Sequence, residues 1–151
     1  MKTDENSPQS ISARPAMTAA ITEETGLTGE ILHDLVHELY AKIRGDTMLG
    51  PIFAERVTEW GAHLDRMVAF WSSVALMTGQ YHGRPVPAHT ALPIDGAHFA
   101  RWLNLFRETA QEVCPPAGAT HVIERAERIA RSLHMAVVQA KSVPDAVPSF
   151  R

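Results

Sequence analysis

Residues 57–74 read VTEWGAHLDRMVAFWSSV, and the spacing of their apolar side chains decides the fold class. At about 100° per residue from Trp60, the residues Leu64, Met67, Trp71 and Val74 all fall within about 40° of one direction, the pattern of an amphipathic helix. His63 falls about 60° to one side, between Met67 and Phe70, while Asp65, Arg66 and Ser72 point the other way. A histidine on an apolar face needs a partner, because an unsatisfied buried polar group costs about 1–3 kcal/mol.

Outward from this segment, the prolines divide the chain. All 10 fall outside four helical patterns. The first pattern runs from about Leu27 to Arg44, with Leu27, Ile31, Leu35, Leu39 and Ile43 at i+4 spacing beside Leu32 and Val36; Gly45 and Asp46 end it. The second holds His63, and its expected bounds are Thr58 as N-cap and Thr78, stopped by Gly79. The third runs from Asp95, again a good cap, to Val113, with Phe99, Trp102, Leu103, Phe106, Ala110 and Val113 on one side. The fourth spans about Ala119 to Ala140 and turns Val122, Ala126, Ile129, Leu133 and Val137 inward; outside, Glu124 is expected to pair with Arg128 and Glu127 with Arg131. No strand alternation or internal repeat interrupts these patterns, so the chain reads as all-α. We expect a helical domain over 23–141, with flexible tails over 1–22 and 142–151. The join between the second and third helices, about 16 residues long, is of a length that is often functional. His89 sits in it, after the proline-punctuated run Tyr81 to Pro87 and before Pro93.

Composition narrows the function classes. The 151 residues make one domain, with 45% hydrophobic and 21% charged residues. A net charge of −3 with its arginines scattered argues against a nucleic-acid partner. No apolar run approaches the roughly 18 residues of a membrane span. The start, MKTDENSP, lacks the apolar core of a secretory signal, and a single cysteine, Cys114, fits a reducing compartment; the expectation is a cytoplasmic protein. Cys114 precedes two prolines without an evident activating base and reads as structural.

The 8 histidines are about twice what is ordinary for this length, which favours metal or proton chemistry only modestly. On the residues alone, His63 reads as a core histidine bonded to a backbone carbonyl, and His89 as a solvated loop residue. Phe53 and Trp102 alone read as core packing. His33 and His37 have the i,i+4 spacing to chelate Zn²⁺, but no Cys or carboxylate completes a recognisable set, and they fall on the polar side of their helix. His82, His121 and His134 read as equally unremarkable.

Several stretches together resemble a family. Tyr40, Ile43-Arg44-Gly45-Asp46, Leu49-Gly50-Pro51-Ile52-Phe53, the run from Glu59 to His63, Phe70-Trp71, the run from Gly79 to Gly83, His89, and Phe99 to Leu103 are similar to the truncated haemoglobins, the third group in particular. The likeness covers about residues 27 to 137. The chain also lacks the Gly-Gly pairs that typify the first two groups.

The resemblance implies a two-over-two helical sandwich enclosing a b-type haem. His89 matches the proximal iron ligand; Tyr40 and Trp102 match the distal hydrogen-bond donors, and His63 the distal histidine. Phe53 matches the phenylalanine that packs on the porphyrin, and Met67 and Trp71 join it among the cofactor-binding residues. Leu39 stands where the family usually has phenylalanine. His98 and Arg84 are candidates for the haem propionates. Neutral imidazole suits haem iron as a fifth ligand, leaving a pentacoordinate iron open to O₂, NO or CO, and Tyr and Trp are donors that pack well in an apolar pocket. The expected activity is gas binding with NO or peroxide detoxification, for which an electron-donating reductase must be separate; oxygen transport or storage and gas sensing are the alternatives.

Overall fold

The stripe Leu32, Leu35, Val36, Leu39 and Ile43 is buried to 1% exposure or less, and the remaining helices pack around it. In this computed structural model, residues 6–79, 81, 89 and 92–142 are described, 6–13 by backbone alone. The described residues hold α1 (Asn6–Thr25), α2 (Gly29–Gly45), α3 (Gly50–Arg56), α4 (Trp60–Leu76), α5 (Gly96–Val113) and α6 (Pro116–Ser142). The most extensive contacts run α5 to α6, α2 to α5 and α2 to α4, which is the two-over-two helical sandwich. Phe106, Ala110, Val122 and Ala126 complete the core from α5 and α6.

Local chemistry sets most of the helix ends. Thr28 caps α2, its hydroxyl accepting from Ile31 N–H at 3.2 Å. Asp95 caps α5 as expected: its carboxylate accepts from Ala97 N–H at 3.0 Å, while Asp95 N–H donates to His98 Nδ1 at 3.1 Å, a reciprocal box. Asp46 builds the corner between α2 and α3. It accepts from the N–H groups of Met48 (3.1 Å) and Leu49 (2.9 Å), and from Arg101 Nε on α5 at 2.7 Å. Its side chain is only 6% exposed. Burial by itself pushes the Asp46 pKa up, but the bonds from Leu49, Arg101 and Met48 and the guanidinium charge outweigh that and hold it below the ordinary carboxylate value. Gly118 in the first turn of α6 lies so close to the α1–α2 link that an added Cβ would meet Leu27 Cδ2 at 2.8 Å and Thr25 O at 3.0 Å.

Several expectations need correction. Residues before Thr22 do not form an irregular tail: from Asn6 onward they belong to α1, which lies against α6 and α4. Pro8 is tolerated in the first turn, where its missing N–H has no intrahelical acceptor; Pro15 lies inside the helix. Thr18 Oγ1 donates to Leu76 O at 2.6 Å, fastening α1 to the end of α4. The second helical pattern starts at Trp60 with Glu59 at the cap rather than Thr58, and ends at Leu76 because Met77 takes a left-handed conformation (φ 59°) ahead of Gly79 (φ 74°). Glu127 accepts from Arg107 of α5, at 3.0 Å to Nη2, instead of pairing along its own helix with Arg131. The segment Gly50–Arg56, which lies between the first two helical patterns, is a short helix with Pro51 in its first turn. At the other end, α6 reaches Ser142. His82, Arg84 and the segments 1–5 and 143–151 lie outside the described residues.

Candidate functional site

The apolar face of α4 serves two purposes. Trp71, Ala75 and Leu76 are buried in the core, while His63, Met67 and Phe70 are half-buried and, with Trp71, form one wall of a cavity of about 380 Å³. That is within the usual range for ligand pockets, about 300–1,000 Å³. Tyr40 of α2 and Phe53 of α3 line it from one side, and Phe99 and Trp102 of α5 from another. His89, Leu92 and Ile94 approach from the segment between α4 and α5, with Leu133 of α6 behind them. Seven residues singled out from the sequence, Tyr40, Phe53, His63, Met67, Trp71, His89 and Trp102, therefore border one space, which α2, α3, α4, α5, α6 and the segment before α5 build together.

The polar groups in this apolar lining have definite states. Tyr40 is 7% exposed, and its ring meets Phe53 at 5.7 Å and His63 at 5.2 Å edge to face. Burial pushes its phenol well above the ordinary pKa, so the hydroxyl stays protonated and available as a donor. His63 Nε2 is buried with no hydrogen-bond partner among the described residues. Burial, and then the charge of Arg66, lower the His63 pKa and keep the ring neutral at pH 7. Trp102 is held by stacking: its ring lies 6.5 Å from Trp71 at 20°, and 5.2 Å from Phe106. The His89 carbonyl accepts from Leu92 N–H at 3.1 Å, the contact that begins the return toward α5. Arg56 and Arg66 also border the cavity.

This donor set fits a haem. The cavity is lined mainly by apolar and aromatic side chains, His89 brings an imidazole to it from between α4 and α5, and the arginines bordering it suit carboxylates. The buried, unpartnered His63 Nε2 is the sharpest sign, because an unmatched polar atom in an apolar wall calls for something in the cavity to bond it.

Several lining residues went unassigned at the sequence level. Phe70 and Phe99 sit on apolar stripes indistinguishable from core, and Arg56 and Arg66 carry no spacing signal. Other expectations fall outside the cavity or inside the fold's supports. His98 borders the cavity, but its Nδ1 is engaged in the α5 cap. His121 Nε2 bonds Ala75 O at 2.9 Å, and His134 stacks on Phe99 at 5.0 Å. Cys114 is buried, and desolvation pushes its thiol up to about 11, consistent with a structural role.

No family model matches the chain. A group 3 truncated haemoglobin of Campylobacter jejuni is 33% identical over 106 residues, which cover 67% of this chain and 84% of that protein. The crystal structure of a group III truncated haemoglobin from Campylobacter jejuni superposes with a TM-score of 0.70 at 30% identity, covering 74% of this chain and 91% of the other. Among the described residues, no helix is long and apolar enough to cross a membrane. Sequence likeness, backbone likeness and a cavity suited to the cofactor agree, and the chain belongs to the group III truncated haemoglobins, a haem-binding globin family.

Proposed function

We propose that the cavity holds a b-type haem with His89 as its proximal ligand, and that Tyr40, Trp102 and His63 face a diatomic gas on the other side. The observation that carries this reading is the meeting of these four side chains at a single apolar cavity. Ferrous haem supplies an iron whose sixth position accepts O₂, NO or CO. The chain supplies the rest. His89 fixes the proximal side. Phe53, Met67 and Trp71 exclude water, which strengthens every polar contact inside. Tyr40 donates its phenolic proton toward a ligand atom that gathers negative charge, and the Trp71–Phe106 stack holds the Trp102 indole N–H for the same purpose. His63, neutral and without a fixed partner, acts as a secondary contact or gate rather than a standing iron ligand. Arg56 and Arg66 would hold the propionates.

Two donors that retain a charged ligand suit turnover better than rapid delivery, which favours NO or peroxide detoxification over oxygen transport. The electrons would come from a separate reductase in the cytoplasm. Absorption spectra of the purified protein, oxidised, reduced and with CO, test the first part: a five-coordinate ferrous spectrum that shifts on adding CO is expected, and absence of a Soret band overturns the reading. An NO-consumption assay on the oxygenated protein tests the second. Stoichiometric loss of NO with nitrate formed is expected; NO persisting beside the oxygenated protein would leave storage or sensing as the role.

A further inference from the structure

On the outer face of α2, His33 and His37 stand one turn apart with their rings stacked, centroids 4.0 Å apart and planes at 22°. His33 is exposed and His37 half-exposed, whereas Tyr40 further along the same helix is buried against the cavity. We propose that His33 and His37 chelate a divalent transition-metal ion at a surface site independent of the haem cavity.

Helix geometry makes the side chains of residues four apart neighbours, so the two imidazoles stand close enough to reach one ion. Metal–nitrogen bonds of about 2.0–2.1 Å meeting at a tetrahedral angle place the two nitrogens about 3.4 Å apart. In the stacked arrangement, with centroids 4.0 Å apart and planes at 22°, the in-plane lone pairs run nearly parallel, so binding requires the two solvent-facing rings to turn out of the stack until both planes contain the ion. Asp34 adds a second indication. Its Oδ1 lies 3.4 Å from His33 Nδ1, the arrangement in which a carboxylate orients one ring nitrogen and leaves Nε2 free for a metal. Among the described residues no third His, Cys or carboxylate completes a cluster, so water fills the remaining positions. Two imidazoles with water select Cu²⁺ and Zn²⁺ rather than Ca²⁺ or Mg²⁺, which need a cage of oxygens, and Cu²⁺ binds more tightly in the general order of divalent affinities.

The test uses the full chain in its ferric form, titrated separately with CuCl₂ and ZnCl₂ by calorimetry, with metal content checked after equilibrium dialysis. One equivalent is expected, Cu²⁺ tighter than Zn²⁺. His33→Ala and His37→Ala should each weaken binding at least tenfold, and Asp34→Asn should weaken it less than either, with the circular dichroism and visible spectrum of each variant unchanged. A wild-type protein that retains no metal after dialysis overturns the proposal. So does a His33→Ala/His37→Ala double variant that keeps the equivalent at wild-type affinity, which would move the ion to another histidine.

Discussion

The rings of Tyr40 and His63 meet edge to face across the α2–α4 contact, centroids 5.2 Å apart and planes at 81°. One is a phenol that burial keeps protonated; the other is a neutral imidazole whose buried Nε2 has no partner among the described residues. The fold thus brings a firm donor and an unsatisfied ring together in an apolar wall. That is an expensive arrangement for stability alone and a useful one for holding a small polar ligand.

Tyr40→Phe removes the phenolic donor and keeps the ring, so packing against Phe53 and His63 should hardly change. A hydrogen bond to a charged acceptor contributes about 1.5–3 kcal/mol, and every 1.4 kcal/mol is about tenfold in rate. Stopped-flow O₂ dissociation should accelerate by about 10- to 100-fold, while CO, which gathers far less charge on its outer atom, responds much less. Release at the wild-type rate would assign the bond to Trp102 or His63 instead.

His63→Leu should stabilise the protein while altering ligand binding. Exchanging a buried, unbonded polar ring for an apolar side chain of similar reach is worth about 1–2 kcal/mol at neutral pH. The sign with pH follows from the lowered pKa of the folded His63. The unfolded chain takes up this proton first as pH falls through about 6.5, so the native histidine costs stability below that value. In urea titrations, the advantage of the Leu variant should grow from pH 8 to pH 5.5. A wild-type protein more stable than the variant at both values would mean that Nε2 is satisfied in solution.

Asp46 ties the α2–α3 corner, which positions Phe53, to Arg101 of α5. Asp46→Ala leaves the N–H groups of Met48 and Leu49 and the guanidinium without their acceptor, at a cost of about 2–3 kcal/mol. Because the folded carboxyl is more acidic than the unfolded one, its contribution is fully present above about pH 4 and is lost as pH falls through the folded value. Wild type and variant should therefore converge in stability toward strongly acid pH. Parallel stability curves down to pH 2 would show that the carboxylate charge is not what holds the corner.

Two side chains from elsewhere in the chain cap carbonyls that have no intrahelical partner at the end of α4: Thr18 donates to Leu76 O and His121 bonds Ala75 O. Thr18→Val keeps the shape and removes the donor. A loss of about 1 kcal/mol in urea unfolding is expected, and no loss would mean that α1 does not stay docked in solution.

These caps also explain what could be read in advance. The α2 stripe from Leu32 to Ile43 announces itself by its period, and Asp95 marks the start of α5, because both signals are local. Tyr40, His63, His89 and Trp102 were legible as a set only through motif order across the chain; no single position distinguishes them from core or loop. The α1 helix was not legible. It carries no sustained apolar stripe, it contains Pro15, and its anchoring bond spans 58 residues. Glu127 likewise matched a helix-surface pattern, yet its partner Arg107 comes from the neighbouring helix. Met77 ends α4 in a left-handed conformation that an unbranched side chain tolerates but does not advertise.

His89 as the iron ligand stands or falls on the ferrous absorption spectra of His89→Gly and His63→Leu, recorded with and without added imidazole. His89→Gly should lose most of its haem or recover a five-coordinate spectrum only when imidazole is supplied, while His63→Leu keeps the wild-type spectrum. A normal spectrum for His89→Gly together with haem loss in His63→Leu would reverse the two faces of the pocket.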